Sequence, residues 1–97
     1  MTEANLENLR ADLAFLGADG IGLDGSVSSA DPEVARMAAK MAATARRVYV
    51  VADSSKIGQS ALMRFGHLTR YGGLITDHAI LRKQANALRR AGVTLIQ

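Results

Sequence analysis

The fold is decided by the stretch Val48-Tyr49-Val50-Val51-Ala52-Asp53-Ser54-Ser55-Lys56, in which a β-branched apolar run ends in an acid, two hydroxyls and a lysine. An apolar run without polar alternation is typical of a central strand in a parallel sheet, where helices cover both faces. In open parallel sheets, ligands bind beyond the carboxyl ends of the strands. We therefore expect the four polar residues at positions 53–56 to lie where binding or chemistry takes place.

The composition indicates one globular domain. The chain has 97 residues, 48% of them apolar, with one Pro and no Cys. This apolar content argues against disorder, and no apolar run approaches the roughly 18 residues that a membrane span needs. The amino-terminal residues lack the basic and apolar regions of a signal peptide, so a cytoplasmic location is expected. No metal or cofactor is expected either, because His67 and His78 lack the spacing of metal ligands and thiolates are absent.

Charge is divided unequally along the chain. Residues 1–33 carry one base against seven acids, whereas residues 34–97 carry eleven bases against two acids. A basic half can mark a nucleic-acid surface, but these bases are spread over several predicted helices and never form a run of five. A solvated basic face is the simpler interpretation, and direct contact with DNA is the alternative.

In the first half of the chain, the patterns predict a helix, a strand, a loop and a second helix. A weakly amphipathic helix over residues 2–11 precedes a strand over residues 12–17 and a turn at residues 18–20. Residues 20–30 hold three glycines and three serines and are predicted to be a loop. Asp31-Pro32-Glu33 starts a helix. Its apolar side, which includes Met37 and Met41, is predicted to pack in the core.

The second half of the chain continues the alternation of strands and helices. After the strand at residues 48–52, a short helix over residues 60–64 is predicted to end at Gly66, and residues 67–73 are irregular. A strand at residues 74–76 leads to a helix over residues 77–91, with Asp77 as its N-cap and Gly92 as its C-cap, before a last strand at 93–96. This order predicts an α/β fold with a mainly parallel sheet flanked by helices.

Three predicted strands end in an acid: Asp19, Asp53 and Asp77. Because the carboxyl ends of parallel strands share one edge, these acids should lie along the same rim, with Lys56 and His78 beside them. Taken singly, Asp77 is explained as a helix cap and Asp19 as a turn residue. Asp53 and Lys56 could also form a local pair that fixes the loop.

Three segments of the chain carry a resemblance to a known family. They are residues 15–21 (Phe-Leu-Gly-Ala-Asp-Gly-Ile), residues 46–58 (Arg-Arg-Val-Tyr-Val-Val-Ala-Asp-Ser-Ser-Lys-Ile-Gly) and residues 74–77 (Leu-Ile-Thr-Asp). In this order and spacing they resemble the C-terminal effector-sensing domain of DeoR-family bacterial transcriptional regulators. The resemblance covers about residues 9–97 and implies a Rossmann-like fold similar to ribose-5-phosphate isomerase and the CoA transferases. It also implies a phosphorylated sugar or sugar-pathway metabolite as effector.

The resemblance extends to the second half of that sensor domain only. The winged helix-turn-helix and the glycine- and threonine-rich loop of the first half, which resembles a phosphate cradle, are expected to be absent from residues 1–97. The chain also departs from the isomerases, because Ala38 falls near the position of their catalytic acid. An isomerase built on this sequence would therefore lack its general base.

The leading hypothesis is a binding module and not an enzyme, namely the effector-sensing part of a DeoR-like regulator. Its candidate ligand-binding residues are Asp19, Asp53, Ser54, Ser55 and Lys56. Lys56 would supply an ammonium to an anionic effector, while the two aspartates would accept hydrogen bonds from sugar hydroxyls. The alternatives are a sugar-phosphate isomerase-like enzyme and a half-domain used only for oligomerisation. Uncovered apolar surface predicts a homo-oligomer, and DNA would be contacted only through the missing N-terminal domain.

Overall fold

The computed structural model describes residues 12–97, which form seven strands, two α-helices and two short 3₁₀ helices. The elements run in the order β1 (Leu13–Gly17), β2 (Gly20–Ile21), β3 (Ser26–Ser29), α1 (Pro32–Thr44), β4 (Arg47–Val51), β5 (Met63–His67), β6 (Gly73–Ile75), α2 (Arg82–Arg90) and β7 (Leu95–Ile96). The 3₁₀ helices Ser54–Lys56 and Leu68–Arg70 follow β4 and β5. The helix predicted over residues 2–11 lies outside the described residues.

A four-stranded parallel sheet forms the centre of the fold, with the strand order β1-β4-β6-β7. Its register places Phe15 opposite Tyr49, and Val50 opposite Leu74. The four strands predicted at residues 12–17, 48–52, 74–76 and 93–96 are all present, with small differences at their ends. The predicted α/β class with a mainly parallel sheet is therefore confirmed.

Residues 20–30, predicted to be a loop, instead contain two strands of an antiparallel sheet. β2 pairs with β3 through Gly20↔Ser28 and Ile21↔Val27, and β3 pairs on its other side with β5. The buried hydroxyl of Ser28 accepts a 2.9 Å hydrogen bond from the Ala61 N–H and so links neighbouring segments. The prediction was wrong because β2 is very short and β3 is rich in serine, so an alternating apolar pattern does not mark them.

Residues 60–64, predicted to be a short helix that ends at Gly66, instead lead into strand β5. This strand pairs antiparallel with β3, from Ser29↔Met63 to Ser26↔His67. Gly66 therefore lies within a strand and not after a helix. The local apolar spacing suited both structures, and a pairing partner far away in the sequence decided between them.

The helix α1 begins where the sequence predicts. Asp31 is its N-cap, with the carboxylate accepting a 2.9 Å hydrogen bond from the Glu33 N–H, and Pro32 occupies the first turn. The second helix begins later than predicted, at Arg82, so Asp77 does not cap it. Gly92 follows the end of α2 with φ = +93°, a conformation that glycine adopts without steric cost. No helix within residues 12–97 is long and apolar enough to cross a lipid bilayer.

The core lies on one face of the parallel sheet. Val50, Leu74 and Leu88 are fully buried in a cluster that joins this sheet to α2 and to the antiparallel sheet. A second cluster packs Ala38 of α1 against Val48. Because Val48 and Val50 are two residues apart on β4, they point to the same side, and both helices therefore cover the same face.

The opposite face of the parallel sheet is largely open. Leu13, Phe15, Val51 and Ile96 on this face are 48%, 56%, 46% and 38% exposed, and the Phe15 ring lies 6.1 Å from the Tyr49 ring. The expectation that helices cover both faces of β4 is wrong for residues 12–97. The physical reason is topological: the strand order follows the chain, so right-handed crossovers all fall on one side.

Candidate functional site

The three acids at the strand ends lie along one rim of the parallel sheet, as predicted. Asp19, Asp53 and Asp77 each follow the end of a strand, respectively β1, β4 and β6. These strands are parallel and adjacent, so their carboxyl ends meet at the same edge. Each carboxylate is exposed, and each also accepts hydrogen bonds from nearby backbone.

Asp19 fixes the start of α1 to the end of β1. Its Oδ2 accepts a 2.8 Å hydrogen bond from the Ala30 N–H and a 3.3 Å bond from the Ser29 hydroxyl. The bond from the Ala30 N–H is the main cause that lowers the pKa of Asp19, with the Ser29 hydroxyl and the charge of Lys56 acting in the same direction. Asp19 is therefore ionised at neutral pH and retains an oxygen that can accept from a ligand.

Asp53 caps the 3₁₀ helix Ser54–Lys56 that follows β4. Its Oδ1 accepts hydrogen bonds from the hydroxyl of Ser55 and from the Ser55 N–H, the latter at 2.9 Å. The hydroxyl of Ser55 is the largest cause that lowers the pKa of Asp53, and the charge of Lys56 lowers it further. Asp77 opposes this effect because it is a neighbouring like charge.

Ser54 connects this turn to the neighbouring strand. Its backbone N–H donates a 2.9 Å hydrogen bond to Oδ2 of Asp77, and Oδ1 of Asp77 accepts from the Ala79 N–H, also at 2.9 Å. The Ser54 N–H is the main cause that lowers the pKa of Asp77. Asp77, predicted to cap a helix, thus fixes the turns after β4 and β6 instead.

Lys56 ends the 3₁₀ helix and is half-buried. Its positive charge contributes to the lowered pKa of both Asp19 and Asp53, so its ammonium lies within electrostatic reach of both carboxylates. No salt bridge joins Lys56 to another side chain in the part of the chain that the structure describes. The local Asp53–Lys56 ion pair considered from the sequence is therefore not formed at contact distance.

A cavity of about 710 Å³ opens beside this rim and brings together three of the five predicted site residues. Asp19, Asp53 and Lys56 line it, whereas Ser54 and Ser55 are not among its lining residues. The sequence reasoning missed two further polar lining residues, Ser29 and Asp31. Asp31 was interpreted only as a helix cap, and Ser29 fell in the predicted loop.

Much of the remaining cavity wall is apolar. The larger apolar side chains that line it are Phe15, Val34, Met37, Met41 and Val51. The two methionines, predicted to be core residues, are only half-buried, because Met41 packs against the second core cluster while both also line the cavity. At the sheet rim, the carboxylates of the cavity can therefore accept hydrogen bonds from ligand hydroxyls, and Lys56 offers one ammonium. Apolar side chains from α1, β1 and β4 form much of the remaining wall.

The histidines take structural positions in this arrangement. Nδ1 of His67 accepts from the Thr69 N–H at 3.4 Å and caps the second 3₁₀ helix. His78 is exposed. Among residues 12–97, no group of three or more acidic or histidine side chains is placed to hold a metal ion.

Comparison with known proteins finds a matching family model and several transcriptional regulators that are similar to this chain. Residues 1–78 match the family described as the DeoR C terminal sensor domain. The chain is 37% identical to the putative aga operon transcriptional repressor of Escherichia coli over 94 residues, which are 97% of this chain and 35% of that protein. It is 30% identical to the HTH-type transcriptional regulator GlpR of Haloferax volcanii, over 97% of this chain and 37% of that protein.

A third relative is the glycerol-3-phosphate regulon repressor of Escherichia coli, which is 31% identical over 72 residues, or 74% of this chain and 29% of that protein. The chain thus spans about a third of the length of the curated relatives it matches. The family match extends over most of the chain, and its relatives are named as transcriptional regulators. The chain belongs to the DeoR C-terminal sensor domain family of transcriptional regulators.

Proposed function

We propose that this chain is the effector-binding part of a DeoR-family repressor and that a phosphorylated sugar, or a related sugar-pathway metabolite, binds in the cavity at the sheet rim, which we call the effector cavity. The observation that carries the proposal is the grouping of Lys56 with Asp19 and Asp53 around one open cavity. The ligand class is supported by the name of one relative, a repressor of a glycerol-3-phosphate regulon.

In this proposal the charged side chains divide the recognition of the effector between them. The ammonium of Lys56 binds the phosphate or carboxylate of the effector through a charge-assisted hydrogen bond. Asp19 and Asp53 repel phosphate but accept from sugar hydroxyls, and their lowered pKa values keep them ionised for that purpose. Ser54 and Ser55 support the site indirectly, because their N–H groups hold the carboxylates of Asp77 and Asp53.

Effector binding at this rim would act on the backbone as well as on side chains. Asp19 already holds the Ala30 N–H just before α1, and Asp53 holds the 3₁₀ helix that carries Lys56. A hydroxyl that competes for these carboxylates changes the hydrogen bonds at both turns. The signal then passes to a DNA-binding domain elsewhere in the regulator, through which we propose that DNA is contacted.

An isomerase-like activity is less well supported. Ala38, which falls near the position of the isomerases' catalytic acid, lines the cavity but carries no carboxylate that could act as a general base. Glu33 is exposed and pairs with Arg36 at 3.4 Å. An assay for aldose–ketose interconversion should show no turnover.

A half-domain that serves only for oligomerisation is the other candidate function, and the open face of the parallel sheet favours it. Calorimetric titration separates it from a sensor. We expect glycerol-3-phosphate or a sugar phosphate to bind, and the unphosphorylated parent compound to bind far more weakly. Oligomerisation without binding of any compound in such a panel would contradict the sensor proposal.

A further inference from the structure

A second cavity, of about 510 Å³, opens at the opposite end of the parallel sheet from the effector cavity. It lies at the amino ends of β4 and β6, where Arg47 begins β4 and Gly72 precedes β6. Its polar lining consists mainly of Arg46, Arg47, His67, Arg70 and Tyr71. This cavity plays no part in the function proposed above.

Several chain segments converge to make this cavity basic. Arg46 and Arg47 come from the start of β4, while Arg70 comes from the second 3₁₀ helix. A neighbouring cavity of about 490 Å³ shares His67 and Arg70 with it and adds Arg64 from β5. No acidic residue of the described part of the chain lines either cavity. The two cavities together therefore form a continuous basic surface, which we call the arginine cavity.

Neighbouring acids neutralise only part of this charge. The pKa of Asp24 is lowered chiefly by the Ser26 N–H and further by the charges of His67 and Arg64, so that carboxylate lies within their electrostatic reach. Asp12 lies 3.8 Å from Arg46, but both side chains are exposed, so this pair contributes little to stability. Arg46 and Arg47 follow the end of α1, where helix carbonyls favour nearby cations. Arg70 comes from the second 3₁₀ helix and lines the same cavity, while Arg64 lines the neighbouring one.

The walls of the arginine cavity suit a small anionic group. Alanines from the end of α1 and the ring of Phe65 give it an apolar floor. Burial raises the pKa of Tyr71, so its hydroxyl stays protonated and available as a donor. Guanidinium groups match the oxygens of a phosphate in pairs, which an ammonium does not.

We propose that the arginine cavity is a second binding site, specific for phosphate groups, with Arg47 and Arg70 as its principal ligands. The phosphate belongs either to a free phosphorylated small molecule or to the backbone of a nucleic acid. Both sources offer the same oxygens to the same guanidinium groups. They differ in whether the rest of the ligand enters the cavity or extends across the neighbouring surface.

The test is a titration of the isotope-labelled chain, followed by amide resonances at constant ionic strength. Inorganic phosphate, a phosphorylated sugar and a short DNA duplex of arbitrary sequence are added in separate titrations. Gly66 and Gly72 line the arginine cavity, and Gly17 lines the effector cavity, so each resonance reports its own site. We expect saturable shifts of Gly66 and Gly72. A response to the small molecules identifies a free ligand, and a response to DNA alone identifies the nucleic-acid backbone.

Arginine variants assign the site to named side chains. Arg47→Gln and Arg70→Gln should each weaken binding about 10- to 100-fold, as expected for loss of a charged hydrogen bond. Arg82→Gln removes the same charge from an exposed position outside both cavities and should leave affinity unchanged. Arg70→Lys keeps the charge but loses the planar fork, so it should weaken binding and provides a test if a Gln variant fails to fold.

Two results would overturn the proposal. One is the absence of a saturable shift of Gly66 and Gly72 with all three ligands. The other is an equal loss of affinity in Arg82→Gln and Arg70→Gln, which would reveal a general effect of net charge. Binding at the arginine cavity is read from Gly66 and Gly72 and binding at the effector cavity from Gly17, so a failure of the effector proposal and a failure of this one are distinguishable.

Discussion

The backbone N–H of Ser54 donates a 2.9 Å hydrogen bond to the carboxylate of Asp77. This bond joins the turn after β4 to the turn after β6, two neighbouring strands of the parallel sheet. Asp77 does not line the effector cavity, but it supports the 3₁₀ helix from which Lys56 extends. A residue outside the cavity thereby sets the position of the one lysine within it.

Removal of the Asp77 carboxylate should loosen both turns. Asp77→Ala leaves the N–H groups of Ser54 and Ala79 without their acceptor, so we expect a lower melting temperature and weaker effector binding. Asp77→Asn should lie between this variant and the unmodified chain, because its single amide oxygen can accept from the Ser54 N–H or from the Ala79 N–H but not from both. Thermal unfolding followed by circular dichroism measures the effect. Equal melting temperatures for Asp77→Ala and the unmodified chain would contradict this role.

Stability should fall in acid. The pKa values of Asp19, Asp53 and Asp77 lie below the usual 3.8 in the folded state, chiefly because N–H and hydroxyl groups donate to the charged carboxylates. A group whose pKa is lowered by folding stabilises the protein above its unfolded pKa, and this contribution is lost as the pH falls through the folded pKa. In urea unfolding, the contribution of these carboxylates to the free energy of unfolding should therefore be constant above about pH 5 and should decline below about pH 4. A free energy of unfolding that is unchanged down to pH 3 would argue against it.

The buried cluster around Leu88 should dominate stability. Leu88 is 0% exposed and packs with Val50 and Leu74, so Leu88→Ala should reduce the free energy of unfolding by about 2–5 kcal/mol. Leu62 is 74% exposed, and Leu62→Ala should change the free energy of unfolding by less than about 0.5 kcal/mol. Chemical denaturation of the two variants provides the comparison. Similar losses in both would mean that the core does not lie where these contacts place it.

The open sheet face should drive self-association of the 97-residue chain. Phe15 is 56% exposed on this face, and apolar patches of this kind favour association in water. Phe15→Glu should shift the protein toward the monomer in sedimentation experiments. Leu62→Glu introduces the same charge at an exposed apolar residue outside the parallel sheet and should leave the association intact. A stable monomer at high concentration of the unmodified chain would refute the prediction.

The sequence was sufficient to predict the parallel sheet but not the antiparallel one. Residues 47–51 form a strand because a β-branched apolar run favours extended structure, and Asp31-Pro32 starts α1 because both residues suit a helix N-terminus. β3 was not predicted because it is rich in serine, and β5 was not predicted because its apolar spacing also suits a helix. Their pairing across more than thirty residues is a tertiary effect.

Part of the candidate site was predictable because the parallel strands themselves were predictable. Asp19, Asp53 and Lys56 could be grouped from the sequence because parallel strands bring their ends to one edge. Asp31 was missed because its role as a helix cap appeared complete, although its position also borders the cavity. Asp77 does not cap α2 because this helix begins only at Arg82, and the apolar pattern did not reveal that later start.

The central claim is that Lys56 binds the anionic group of an effector. The side chain forms no salt bridge within the described part of the chain, so its loss should change the free energy of unfolding by less than about 1 kcal/mol. A charge-assisted hydrogen bond to phosphate is worth roughly 1.5–3 kcal/mol, so affinity should fall by about one to two orders of magnitude.

Calorimetric titration of a phosphorylated effector into Lys56→Ala is the most direct measurement. Lys83→Ala is the matched control, since Lys83 is exposed on α2 and does not line the cavity. We predict that Lys56→Ala weakens binding by the stated factor with little change in melting temperature, while Lys83→Ala binds like the unmodified chain. Unchanged affinity in Lys56→Ala, or unfolding of that variant, would contradict the account.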